Sequence, residues 1–160
     1  MLAAGISSVV LPIFLDEIFQ RFSNCSPQDQ EAIENLLLDL HKLLGNRLVP
    51  SALHILDNCN NIIYIANETK TLELAEISEG GPSFRLVRLF RHLNYCSCEY
   101  FQEKVLNKQI PYSGSYTCQH VLALRLAFTL QHKCLQFKKV PNQKLDLLLK
   151  YFLPDYTAAD

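Results

Sequence analysis

The sequence predicts an α+β fold in which helices flank a small antiparallel sheet. Three observations carry this reading. Apolar residues recur at helical spacing through residues 1–60, short alternating or apolar runs replace them over 61–90, and helical spacing returns after residue 99. At 160 residues, 49% hydrophobic and with seven prolines, the chain has single-domain length and globular composition. A chain of this size buries roughly 70% of its unfolded surface and builds a core without staples. Three regions are expected: a helical one over 1–60, a middle one holding the sheet over 61–135, and a C-terminal helix and tail over 136–160.

The first helix reads from Leu11 to Phe22, opening at Pro12, with Phe14, Ile18 and Phe22 at i, i+4 and i+8. Ser26-Pro27-Gln28-Asp29 is a second helix start, with serine as cap, proline in the first turn and an acid three residues after the cap. Ile33, Leu36, Leu37, Leu40 and Leu44 form its apolar stripe, and Gly45-Asn46 stops it. A short third helix covers Pro50 to Asp57. The runs NIIYIAN and TLELAEI, separated by Asn67-Glu68-Thr69-Lys70, read as a β-hairpin. Gly80-Gly81-Pro82 breaks the chain. In SFRLVRLFRHLNY, Phe84, Leu86 and Leu89 fit a strand, while Leu86, Leu89, Phe90 and Leu93 fit a helix, and periodicity leaves both open. EYFQEKVLNK is a short helix with Phe101 and Val105 at i, i+4, followed by a loop from Pro111 to Tyr116. QHVLALRLAFTLQHK is a strong helix. Pro141-Asn142 opens the last one, with Leu145, Leu148, Leu149 and Phe152 on one face and Pro154 ending it.

The net charge of −1 hides an asymmetry: residues 1–84 hold 4 Lys/Arg against 11 acids, and residues 85–150 hold 11 against 3. This makes either two mutually attracting halves or a basic face for nucleic acid or an acidic protein. Six cysteines raise the possibility of disulfides, which belong to small exported domains. The apolar start MLAAGISSVVLPIFL lacks the positive region of a signal peptide, since the first Lys or Arg is Arg21, and it runs on into an amphipathic helix. Without export the sequons at Asn24 and Asn67 carry no weight. No apolar run reaches the ~18 residues of a membrane span, so no membrane role is expected.

Chemistry concentrates between Cys96 and His120. Cys96-Ser97-Cys98 and Cys118-Gln119-His120 are two tight pairs of soft or borderline metal donors. Structural zinc takes four such ligands in a tetrahedron, Cys₃His among the standard sets. In an extended chain, residues i and i+2 point the same way, so Cys-x-Cys can aim both sulfurs at one ion. In a helix the same spacing turns them ~200° apart, which requires Cys118 to precede its helix and His120 to sit in the first turn. Cys96, Cys98, Cys118 and His120 are therefore the expected ligands of one structural Zn²⁺, closed to water. His92 is the one plausible substitute ligand. On a continuous helix His132 lies ~18 Å from His120, too far to share an ion. His132 therefore reads as a surface group, and Cys134, like Cys25 and Cys59, as a small buried hydrophobe. His41 and His54 have no second ligand nearby in sequence.

This Cys-x-Cys, spacer, Cys-x-His arrangement resembles the SWIM zinc finger. Phe101, three residues after Cys98, fits the aromatic position of that family, and CQHVLALRLA fits its Cys-x-His followed by an apolar helix. Gln119 departs from the lysine often found between those ligands, and the spacer is long. The layout of N-terminal helices, small sheet and C-terminal finger is similar to the small SWIM-containing subunits of Shu complexes. The resemblance is specific over about residues 84–130. It implies a nuclear, non-catalytic protein that forms an obligate heterodimer with a RecA-like recombinase paralog. It further implies a role in assembling or stabilising recombinase filaments on single-stranded DNA in homologous recombination.

The residues are consistent with a non-enzyme. No G-x-x-x-x-G-K-[ST] phosphate loop is present, so ATP binding must come from a partner; no small-molecule substrate is expected. A Cys118 nucleophile with His120 as base fails, because residues two apart at a helix start diverge and no acid is placed to orient the base. Direct nucleic-acid binding has charge in Arg85, Arg88, Arg91, Lys104, Lys108, Arg125, Lys133, Lys138 and Lys139, and rings in Tyr95, Tyr100, Tyr112 and Tyr116. No recognition helix is legible, so only a weak, salt-sensitive contact with single-stranded DNA is expected. The stripes Ile13/Phe14/Ile18 and Leu145/Leu148/Leu149/Phe152 are read as core before docking faces.

Overall fold

A computed structural model of the chain describes residues 10–26, 28–45, 47–58, 62–79, 85–106 and 115–152. Pro27, Asn46, Cys59, Gly80-Gly81-Pro82, Phe84, Lys108, Pro111, Tyr112 and Pro154, all invoked above, lie outside them.

Helix α1 spans Leu11–Asn24 with Pro12 in its first turn. Its buried stripe is Leu15, Ile18, Phe19 and Phe22, while Ile13 and Phe14 are 65% and 44% exposed. Ile18 and Phe22 of the expected stripe are thus buried, while Leu15 takes the inward place expected of Phe14. Residues 11–15 are almost all apolar, so spacing alone does not choose among them; contact with α2 and α4 selects the i, i+3, i+4, i+7 set. Helix α2 spans Gln30–Leu44 and is capped by Asp29, whose carboxylate accepts the Ala32 N–H at 3.0 Å. The serine expected as cap is three residues too early; Asp29 is the residue next to the unpaired N–H groups of the first turn. Gly45, at φ +84°, ends the helix by donating its N–H to the His41 carbonyl. Helix α3 covers Leu48–Asn58, with Pro50 in its first turn, and packs on the later helix α4, Gln119–Thr129.

The sheet has four strands: β1 (Ile62–Asn67), β2 (Glu73–Glu79), β3 (Arg85–Leu89) and β4 (Leu135–Val140), in the order β3-β2-β1-β4. β1 and β2 form the expected hairpin, Ile62 opposite Ile77 and Ala66 opposite Glu73. Its turn is organised by Asn67, 2% exposed. The Asn67 Oδ1 accepts the Leu72 N–H at 3.2 Å, and its Nδ2 donates to the Thr69 and Thr71 hydroxyls at 3.0 and 2.8 Å. β3 resolves the strand-or-helix choice as strand. It buries Val87 and Leu89, and Leu86 faces out at 38% exposure, so the inward parity is the opposite of the one expected from Leu86.

The sheet is mixed, which corrects the antiparallel expectation. β4 lies parallel to β1, Ile62 beside Leu135 through Asn67 beside Val140. The chain returns to the sheet through α4, and a helical crossover delivers the next strand parallel. Within β4 the run Gln136–Lys139 is exposed, as befits a strand at the sheet edge.

The two faces are covered separately. Ile62, Tyr64, Ala66, Ala75, Ile77, Val87 and Leu89 join the large core with α1–α4. Helix α4 is its hub: Val121, Leu122, Ala123, Leu124, Leu126 and Ala127 are all buried, as expected of a helix apolar on every side. On the opposite face Ile65, Leu74 and Val140 enclose Leu145 of α5 (Asn142–Phe152), with Leu148 and Leu149 packed beside them. Among the described residues the acidic and basic halves meet where Arg88 contacts Glu76 at 2.8 Å, His92 contacts Glu73 at 3.0 Å and Arg125 contacts Asp16 at 2.8 Å. Among the described residues no helix is long and apolar enough to cross a membrane.

Candidate metal centre

Each donor pair is placed by backbone geometry. After β3, the chain turns through residues 90–95 and comes back alongside the strand, so that Cys96 bridges Leu89 in antiparallel fashion. The Ser97 N–H donates to the Arg88 carbonyl at 2.9 Å, and the Arg88 N–H donates to the Ser97 hydroxyl at 3.0 Å. This keeps residues 96–98 extended: Ser97 faces solvent, while Cys96, fully buried, and Cys98, half-buried, face the other way. On the other side Cys118 is the N-cap of α4, with extended φ −113° and ψ 168°, and His120 lies in the first turn. Its imidazole Nδ1 is 3.9 Å from the Cys118 sulfur.

The four donor atoms of Cys96, Cys98, Cys118 and His120 all lie within 4.8 Å of one another. Zn–S bonds of ≈2.3 Å and Zn–N bonds of ≈2.0–2.1 Å in a tetrahedron put ligand atoms about 3.6–3.8 Å apart. The donors are therefore gathered to within a small adjustment of a four-coordinate site, and one metal ion fits among them. Among the described residues no other group of three or more His, Cys, Asp or Glu side chains comes together in this way. Among the described residues, Cys25, Cys96, Cys98, Cys118 and Cys134 form no disulfide.

The immediate surroundings favour thiolate at one end of the cluster. The Phe101 N–H donates to the Cys98 sulfur at 3.3 Å. Hydrogen bonds from Cys118, Cys96 and His120, together with that N–H, hold the Cys98 thiol far below its ordinary range against the effect of burial. Cys96 moves the opposite way, pushed up by its hydrogen bonds with Cys118 and Cys98 and by burial. Binding of a metal through these sulfurs releases the protons that the thiols carry.

Two tethers hold the donor loops, and neither was legible in the sequence. The Gln102 side-chain amide donates to the Cys96 carbonyl at 2.8 Å, pinning the Cys-x-Cys segment to the turn that follows it. The Asn94 side-chain amide donates to the Tyr116 carbonyl at 2.6 Å, joining the loop before one pair to the loop before the other. Their positions, four residues after Cys98 and two before Cys96, are the only sequence signals. The short helix expected after Cys98 is present, and over Phe101–Leu106 it is π-helical; it seats Phe101, fully buried, against Tyr95 at 5.7 Å between ring centroids.

The other candidates stand apart. His92 is 70% exposed and pairs with Glu73, outside the cluster. Helix α4 ends at Thr129, and His132 contacts Cys134, Nδ1 to Sγ 3.0 Å, as a separate pair. Cys134 is buried and Cys25 packs on the core. Of the proposed nucleic-acid residues, Arg88 and Arg125 are committed to ion pairs and Arg91 lies over the Phe128 ring at 4.1 Å. Lys104, Lys138 and Lys139 are exposed.

Comparison of the chain with family models, with curated proteins and with solved structures gave no match. The likeness to SWIM fingers therefore rests on the four donors, their spacing and the residues beside them.

Proposed function

We propose that the protein is a non-enzymatic, zinc-stabilised module of SWIM type that works as a subunit alongside a RecA-like recombinase paralog. In this reading the pair acts in the nucleus, supporting recombinase filaments during homologous-recombination repair, and the chain adds at most a weak contact to single-stranded DNA. The observation that carries the reading is the gathering of Cys96, Cys98, Cys118 and His120 around one point. Three thiolates and an imidazole select zinc over hard cations. Four protein donors leave no position for water, which makes the ion structural and leaves function to surfaces. Two features are consistent with a partner: Ile13 and Phe14 on α1, and Leu147 and Tyr151 on α5, are large apolar side chains left exposed.

The test has two parts. Elemental analysis of the purified chain should give one zinc, lost in Cys98→Ala and in His120→Ala. Co-expression with RecA-like recombinase paralogs should give a one-to-one complex on gel filtration and raise soluble yield. A zinc-loaded chain that remains monomeric beside every such paralog would sink the recombination assignment and leave the zinc module standing.

A further inference from the structure

A cleft of about 430 Å³ opens between α1, α4 and the loop of residues 91–94. Its size falls within the roughly 300–1,000 Å³ of small-ligand and side-chain pockets. Its floor is apolar, formed by Leu15, Phe19 and Leu122. Two guanidinium groups border it, each laid on an aromatic ring: Arg91 over Phe128 at 4.1 Å, and Arg125 over Phe19 at 4.0 Å. Stacking fixes the plane of a guanidinium and leaves its N–H edge to bind in that plane. Arg125 spends that edge on Asp16. Among the described residues no carboxylate forms an ion pair with Arg91. The wall adds a second polar group without a match: the Thr117 hydroxyl is buried and has no hydrogen-bond partner among the described residues.

We propose that this cleft docks an extended segment of a partner protein, which lays an apolar side chain on the Leu15–Phe19–Leu122 floor and a carboxylate against Arg91. Charge decides the chemistry. The cleft offers the Arg91 guanidinium, which also faces the Tyr64 ring at 5.8 Å but forms no ion pair with a described carboxylate, beside the already balanced Arg125–Asp16 pair. A single carboxylate balances that charge and takes the planar fork of Arg91 in bidentate fashion. A phosphate dianion would bring more negative charge than the one guanidinium balances, since the Arg125–Asp16 pair is already neutral. The site is independent of the zinc and recombination readings, although Thr117 adjoins Cys118, so it is tested on the full, metal-loaded chain.

The experiment follows backbone amide shifts on addition of an acetylated, amidated tetrapeptide carrying Phe followed by Asp, and of two controls with Asn for the Asp or Ala for the Phe. The Phe–Asp peptide is expected to move amides of residues 91–94 and 117–129, and each control to bind at least about ten-fold more weakly, the size expected for one charge-assisted hydrogen bond or one buried ring. Arg91→Gln should weaken the Phe–Asp peptide by the same factor and leave the Asn control unchanged. Arg91→Lys, which keeps the charge and loses the fork, should fall between. Equal binding of the Asp and Asn peptides, insensitivity to Arg91→Gln in a variant that melts like the parent, or no shift at the peptide's solubility limit would overturn the proposal. So would inorganic phosphate or an oligothymidylate moving the same amides more strongly than the peptide.

Discussion

Asn94 and Tyr116 are joined, side-chain amide to backbone carbonyl, at 2.6 Å, and each stands two residues ahead of the first donor of its pair. The bond ties the two donor loops together through groups that are not themselves donors. Asn94→Ala should therefore weaken zinc binding by about ten-fold or more, as loss of groups that orient metal ligands does, while leaving four ligands and a one-to-one stoichiometry. Competition against a chromophoric chelator measures this, and an unchanged affinity would show that the loops are held by other means.

Metal removal acts on the core, because Cys96, Cys118 and His120 are buried where β3 meets α4. Structural zinc contributes on the order of 10–16 kcal/mol in small motifs, comparable to the about 5–15 kcal/mol of a whole domain. Chelation or Cys98→Ala should abolish the cooperative melt over at least residues 95–132. A circular-dichroism melt indifferent to chelator would contradict a structural role.

The Asn67 side chain supplies three hydrogen bonds to the β1–β2 turn from a buried position. Asn67→Ala leaves the Leu72 N–H without its side-chain acceptor, although the Asn67 N–H still donates to the Leu72 carbonyl at 3.2 Å. The expected loss is about 1–3 kcal/mol in denaturant unfolding, with an unchanged m-value.

Tyr64 is buried between Phe128 and Phe137, and burial, with Glu73 close by, pushes its phenol up from 10.0 to about 12. The folded state therefore holds this proton more tightly than the unfolded chain. The resulting stability is complete below pH 10 and is lost as pH rises from 10 through about 12. Tyr64→Phe removes a buried hydroxyl that makes no hydrogen bond of good geometry among the described residues, with Glu73 and Arg91 close to it. It should be neutral or mildly stabilising at pH 7 and should flatten the fall of the thermal midpoint above pH 10, read as the difference from the parent protein. Parallel alkaline curves for the two would refute the assignment.

The parts of the fold governed by local pattern were readable in the sequence. The α2 stripe, the Gly45 stop, the β1–β2 hairpin and the need for Cys118 to precede its helix all follow from spacing over a few residues. What escaped depends on contacts distant in sequence. β4 reads as Leu-Gln-Phe-Lys-Lys-Val, with no alternation to mark it, because an edge strand keeps a partner on one side only and its lysines face solvent. Its parallel partner β1 precedes it by β2, β3, the segment that carries the four donors, and α4. The side of β3 that turns inward was likewise set by β2 and α4, since Leu86, Val87 and Leu89 offer apolar candidates of both parities. At the metal centre the donors announced themselves by chemistry and pairing, while Asn94 and Gln102 are ordinary polar residues whose role exists only once the loops have met.

The central place of β1 bears on how the chain is made. Ile62 finds Ile77 almost as soon as the hairpin is synthesised, but its other neighbour, Leu135, arrives only after every metal donor has emerged. Until then one edge of β1 is bare, with its row of N–H and C=O groups open to pairing with another chain. Pairing across so long a stretch is slow, because the loop it closes must first be ordered. A metal ion held by Cys96, Cys98, Cys118 and His120 would shorten that loop from within, and the supply of metal during synthesis would then set how long the nascent sheet stays exposed to aggregation.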